Sequence, residues 1–77
     1  MVIAYVLVRT VPGKSWEVAE AVSKLESVQM AHSVAGPFDV IAFVKVPNLW
    51  SLKGLLGKIH AMDEVERTQT AISYKDE

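Results

Sequence analysis

Two stretches of the chain are apolar on both alternating faces. Val2 to Arg9 reads Val-Ile-Ala-Tyr-Val-Leu-Val-Arg, and Phe38 to Val46 is interrupted only by Asp39 and Lys45. Such runs suit strands covered on both sides better than strands with one wet face. Two further stretches alternate in character. Val28 to Ala35 sets Val28, Met30, His32 and Val34 against Gln29, Ala31, Ser33 and Ala35. Val65 to Tyr74 sets Glu66, Thr68, Thr70, Ile72 and Tyr74 against Val65, Arg67, Gln69, Ala71 and Ser73, and Lys75-Asp76-Glu77 follows as a tail. The pattern therefore predicts four strands, two fully apolar and two half polar.

Helical spacing fills the gaps between them. Val11-Pro12-Gly13 stops the first strand, and Ser15 is placed to cap a helix with Glu17 in its first turn, where an acid complements the dipole. Val18, Ala21, Val22 and Leu25 make its apolar stripe, with Glu17, Glu20, Lys24 and Glu26 outward. Pro47-Asn48 closes the third strand, and Asn48 is predicted to cap a second helix striped by Leu49, Leu52, Leu55, Leu56 and Ile59. Trp16 and Trp50, each in a first turn, are expected to anchor packing. Gly54 and Gly57 each cost that helix about 1 kcal/mol against Ala, so close packing is expected at both.

The order βαββαβ is the ferredoxin-like, or split-βαβ, plan of the α+β class, as one domain over residues 1–77. In that plan the sheet is antiparallel, its first and third strands are central, and both helices lie on one face. The polarity agrees, because the two apolar strands are the first and third. The other face of those strands would leave large apolar groups in water, and patches beyond a few hundred Å² mark interfaces. At about 25 cal/mol per Å², leaving it wet is expensive. Association with a second copy through the sheet, most simply about a two-fold axis, is expected.

Composition sharpens this. A chain of 77 residues buries only about 60% of its unfolded surface, yet 51% of its residues are hydrophobic and none is cysteine. Neither disulfides nor thiolate metal sites supply the missing stability, so other subunits are the expected source. A formal charge of −1 and scattered Lys and Arg argue against a nucleic-acid surface. No basic n-region precedes the first strand and no apolar run is long enough to span a membrane, so a cytoplasmic, soluble domain is expected.

The candidate chemistry centres on Gly36-Pro37-Phe38-Asp39, a turn between two strand-like runs. Asp39 stands at the mouth of an apolar strand, where its carboxylate can cap backbone donors or meet a ligand. A carboxylate beside a glycine turn can hold an ammonium group while turn N–H groups hold a carboxylate, which together receive a zwitterionic amino acid. Thr68 and Thr70 share a strand face and are either ordinary β-branched strand residues or hydroxyls offered to a ligand across a subunit contact. His32 shares a face with Met30 and Val34 and could line a pocket. His60, in the last turn of a helix, interacts with its dipole and needs no further role. The two histidines lack metal-site spacing, and no cofactor-binding fingerprint is present.

These residues, taken in order, resemble the effector-binding domain of the Lrp/AsnC (leucine-responsive, feast/famine) transcription regulators. The likeness runs through Pro12-Gly13, Val28, Gly36-Pro37-Phe38-Asp39 and Val65-Glu66-Arg67-Thr68-Gln69-Thr70. It implies a βαββαβ domain that dimerises through its sheets, assembles further, and binds an amino-acid effector between dimers. It implies ligand contacts from Gly36, Pro37, Phe38 and Asp39, with Thr68 and Thr70 from a neighbouring subunit; His32 and Val34 are the accompanying pocket candidates. Pro37 departs from the polar residue usual after the glycine and removes one N–H donor from the turn. The helix-turn-helix domain that precedes this module in the family has no counterpart in the 77 residues. The expectation is thus a regulatory module, without cofactor, that does not touch DNA itself and co-assembles with full-length regulators or another partner.

Two other classes share the plan. Dimeric α/β-barrel enzymes, such as small cofactor-free monooxygenases, enclose a pocket between sheet and helices, and His32, Asn48 and Trp50 could serve one. No acid–base pair is placed by spacing, which weighs against catalysis. Amino-acid-binding ACT-type domains pair protomers edge to edge.

Overall fold

The alternating and helical spacings produce β1 (Val2–Thr10), α1 (Ser15–Ser23), β2 (Val28–Ser33), β3 (Val40–Val46), α2 (Leu49–His60) and β4 (Val65–Ile72). The structure, a computed structural model, describes residues 1–74; the tail predicted at Lys75-Asp76-Glu77 lies outside the described residues. The four strands form one sheet of order β2-β3-β1-β4, antiparallel at every pairing. The two apolar strands are the central ones, as their pattern predicts, because only a central strand has both edges paired and both faces available for cover.

One face of the sheet carries the core. Ala4, Val6 and Val8 of β1 and Val40, Ala42 and Val44 of β3 join α1 through Val18, Ala19 and Val22, and α2 through Leu52, Leu55 and Ile59. Ala19, not Ala21, completes the α1 stripe; Ala21 is exposed. Lys14 occupies the N-cap position of α1 without a side-chain capping hydrogen bond. Ser15 is already helical, and its hydroxyl accepts from Ser33 Oγ at 2.9 Å, tying α1 to β2 instead of capping. Asn48 caps α2 as predicted, its Oδ1 accepting from the Ser51 N–H at 2.9 Å.

Neither tryptophan packs into the core, and the Trp50 ring meets the Lys53 ammonium, 5.3 Å from its centroid. Trp16 and Trp50 are 79% and 78% exposed. Each precedes a buried stripe residue (Val18, Leu52) by two positions, which turns it roughly 200° around the helix and into solvent. Leu49 likewise is exposed, beyond the end of its stripe. Gly54 and Gly57 also depart from expectation, since a Cβ at either would meet no atom within 4 Å. Gly54→Ala is therefore expected to stabilise the chain by about 0.5–1 kcal/mol. Calorimetry should find the melting temperature raised by several degrees. A fall would show that the glycine is covered in an assembly.

Strand ends and one strand face differ from the pattern. β2 stops at Ser33 and β3 starts at Val40, because the Val34 N–H donates to the Asp39 carbonyl at 2.8 Å and closes a loop over residues 34–39. β4 stops at Ile72, leaving Tyr74 exposed. In β2 the register slips between Val28 and Met30, so Val28 packs on the core while Met30 and His32 face the other side. Simple alternation misses such a bulge, since the extra residue changes face without changing composition.

The second face is bare and apolar. Tyr5, Leu7, Ile41 and Phe43 occupy it in register, with Met30 and His32 beside them. The Tyr5 and Phe43 rings lie 5.3 Å apart, tilted by 38°. Tyr5 and Met30 remain 42% and 49% exposed. Among the described residues, no helix is long and apolar enough to cross a membrane.

Candidate functional site

Asp39 ties the loop to the end of β1. Its N–H donates to the Val8 carbonyl at 2.9 Å, and its Oδ2 accepts from the Thr10 N–H at 2.9 Å. Thr10 is the buried polar residue of the chain among those described, and its hydroxyl donates to the Val11 carbonyl at 3.1 Å. Asp39 thus caps a backbone donor, but one on β1, 29 residues away in sequence, rather than a local N–H of its own turn. It engages one oxygen only. Oδ1 has no hydrogen-bond partner among the described residues, and the side chain is half-buried at the loop's edge.

The rest of the loop stands outward. Gly36 has φ of +149°, a backbone setting that side chains strain to adopt, and both it and Pro37 are exposed. Phe38 is half-buried, with the Arg67 guanidinium 5.8 Å from its ring centroid. Phe38, Arg67, Thr68 and Gln69 line an open depression of about 310 Å³. Phe38 and Thr68 thus border one depression within a single protomer. Val34, 39% exposed, opens the same loop.

Thr68 and Thr70 share one face of β4, as alternation predicts, and it is the helix-side face: their partners on β1 are the core residues Val8 and Val6. Thr68 Oγ1 lies 2.6 Å from His60 Nε2, so His60 does more than end its helix. That pairing escapes a reading of separate elements. It is visible only once the short α2–β4 connection folds His60 back over the strand.

His32 lies apart from this corner, on β2, the opposite edge of the sheet from β4. Its Nε2 contacts Met30 Sδ at 3.1 Å. It borders two depressions. One, of about 290 Å³ on the bare face, includes Tyr5, Met30, Ile41 and Phe43; the other, of about 430 Å³ along α1 and β2, includes Trp16, Glu17 and Glu20. Among the described residues His32 hydrogen-bonds to no acid, and Asn48 and Trp50 line neither depression, so the residues an enzyme reading would recruit do not converge. Among the described residues, no three metal-ligating side chains gather.

A ferredoxin-like domain with one sheet face in helices, the other bare, and a half-open carboxylate loop at its corner has the build of a ligand-binding module. The chain belongs to the Lrp/AsnC ligand binding domain family, whose sequence model matches residues 3–76. It is 29% identical over 73 residues to the HTH-type transcriptional regulator FL11 of Pyrococcus abyssi, covering 95% of this chain and 48% of that protein. This chain therefore spans about half the length of the curated relatives it matches. TTHA0845 from Thermus thermophilus superposes with a TM-score of 0.92 at 29% identity, over 100% of this chain and 98% of that one. The transcriptional regulator NMB0573 of Neisseria meningitidis, in complex with L-Met, shares the fold at a TM-score of 0.83 and 17% identity, over 97% of this chain and 51% of that one.

Proposed function

We propose that this domain senses an amino acid and passes its presence on through assembly. The observation that carries the reading is the Asp39 carboxylate at the loop edge, with one oxygen spent on the Thr10 N–H and the other without a hydrogen-bond partner among the described residues. An ammonium group suits that second oxygen, since charge-assisted bonds to a carboxylate are roughly twice as strong as neutral ones. Gly36, Pro37, Phe38, Asp39 and Val34 form one wall of the site in this reading. Thr68 and Thr70 of a neighbouring protomer form another, and His32 lines the adjoining sheet face. The L-Met bound by NMB0573 supports the ligand class. The bare face bearing Tyr5 and Phe43 supports dimerisation, and further assembly of dimers closes the site. The setting is the cytoplasm, and full-length regulators of the same family are the natural co-assembly partners.

Melting curves with each of the twenty amino acids test this. A true effector at 100 times its Kd adds about 2.7 kcal/mol to the folded state. A panel in which every amino acid leaves the melting temperature unchanged would overturn the reading.

A further inference from the structure

Asp39 straddles Arg9. Its two contacts with β1 fall on Val8 and Thr10, so the residue between them is pinned beside the loop. The β1–β4 register makes Arg9 and Arg67 direct partners, and their side chains leave the bare face of the sheet together. Residues so opposed have Cβ atoms about 4.5–5.5 Å apart, and like charges in that position repel. Arg9 is half-buried, where solvent screens a charge less than at an open surface. Among the described residues neither arginine has an acid within ion-pair distance; the Lys14–Glu17 ion pair lies on another element. Two adjacent guanidiniums beside the single Asp39 carboxylate leave a net positive charge that an incoming anion relieves.

The neighbourhood is shaped to admit one. The depression of about 310 Å³ lined by Phe38, Arg67, Thr68 and Gln69 takes in Arg67, the cross-strand partner of Arg9. The Phe38 ring, 5.8 Å from the Arg67 guanidinium, limits where that group can turn. Pro37 contributes no N–H, so the loop alone is short of donors for an anion. A guanidinium, by contrast, presents a planar fork that matches a carboxylate two bonds at a time.

We propose that Arg9 and Arg67 form an anion site that receives the carboxylate of the effector, while Asp39 receives its ammonium group. The inference rests on the amino-acid reading above and narrows it. The ligand class becomes molecules that carry a free carboxylate next to an amine, and amides, esters and simple amines are excluded.

Calorimetric titration of the intact chain with the twenty L-amino acids, and with the α-amide of each one that binds, reads this directly. The amide should bind at least about tenfold more weakly than the acid. Arg67→Gln should weaken the acid by a similar factor and leave the amide's affinity unchanged. Arg67 is exposed, so this variant tests recognition without disturbing the core. Equal affinities for acid and amide, or an Arg67→Gln variant that binds the acid like wild type, would overturn the anion site and leave the sensor reading standing. An Arg67→Gln variant that dissociates protomers while binding the acid normally would assign the pair to the subunit contact instead. Failure of every amino acid to bind would remove both.

Discussion

Phe43→Glu will leave a folded monomer. Phe43 sits in the middle of the bare sheet face, opposite Tyr5 on β1 and beside Met30 on β2. In a lone protomer a carboxylate there reaches water, and the core on the other face is untouched. In a dimer packed through that face the same carboxylate is buried without a partner. An uncompensated buried charge costs about 3–5 kcal/mol, which weakens association by roughly two to three orders of magnitude. Sedimentation at micromolar concentration, with circular dichroism to confirm folding, checks this. Unchanged association would place the contact elsewhere and take the inter-subunit site with it.

The two substitutions of Asp39 should separate its structural role from its proposed functional one. Asp39→Ala removes the acceptor for the Thr10 N–H. A donor buried without its partner costs about 1–3 kcal/mol, so the melting temperature should fall by several degrees or more. Asp39→Asn keeps an amide oxygen for that N–H and deletes the charge. Its stability should stay near wild type, whereas the affinity for an amino-acid effector should drop about tenfold or more. Melting curves and titration on both variants supply the readings. An Asn variant that binds as tightly as wild type would reduce Asp39 to a cap.

Much of the loop corner is legible in the sequence because its residues are adjacent there. Gly36-Pro37 marks a turn by its residue types, and Asp39 stands one residue before β3. The partners of Asp39 are not legible, because Thr10 lies 29 residues away and its N–H is free for capping only where β1 runs past its pairing with β3. His60 reads as a helix-end residue because its link to Thr68 depends on the reversal between α2 and β4. The tryptophans mislead for the opposite reason. Their size suggests a buried anchor, while their angular position, two residues ahead of the stripe, places them outside.

By itself the sequence determined the βαββαβ order, the central place of β1 and β3, and the family, since each depends on a local period or an ordered string of short motifs. Only the tertiary structure decided which groups meet. The slip in β2 that parts Val28 from Met30, the side-by-side setting of Arg9 and Arg67, and the grip of Asp39 on β1 all follow from strand register. Register is a property of two strands at once: a shift of one residue reverses every side chain, and no single stretch of sequence records it.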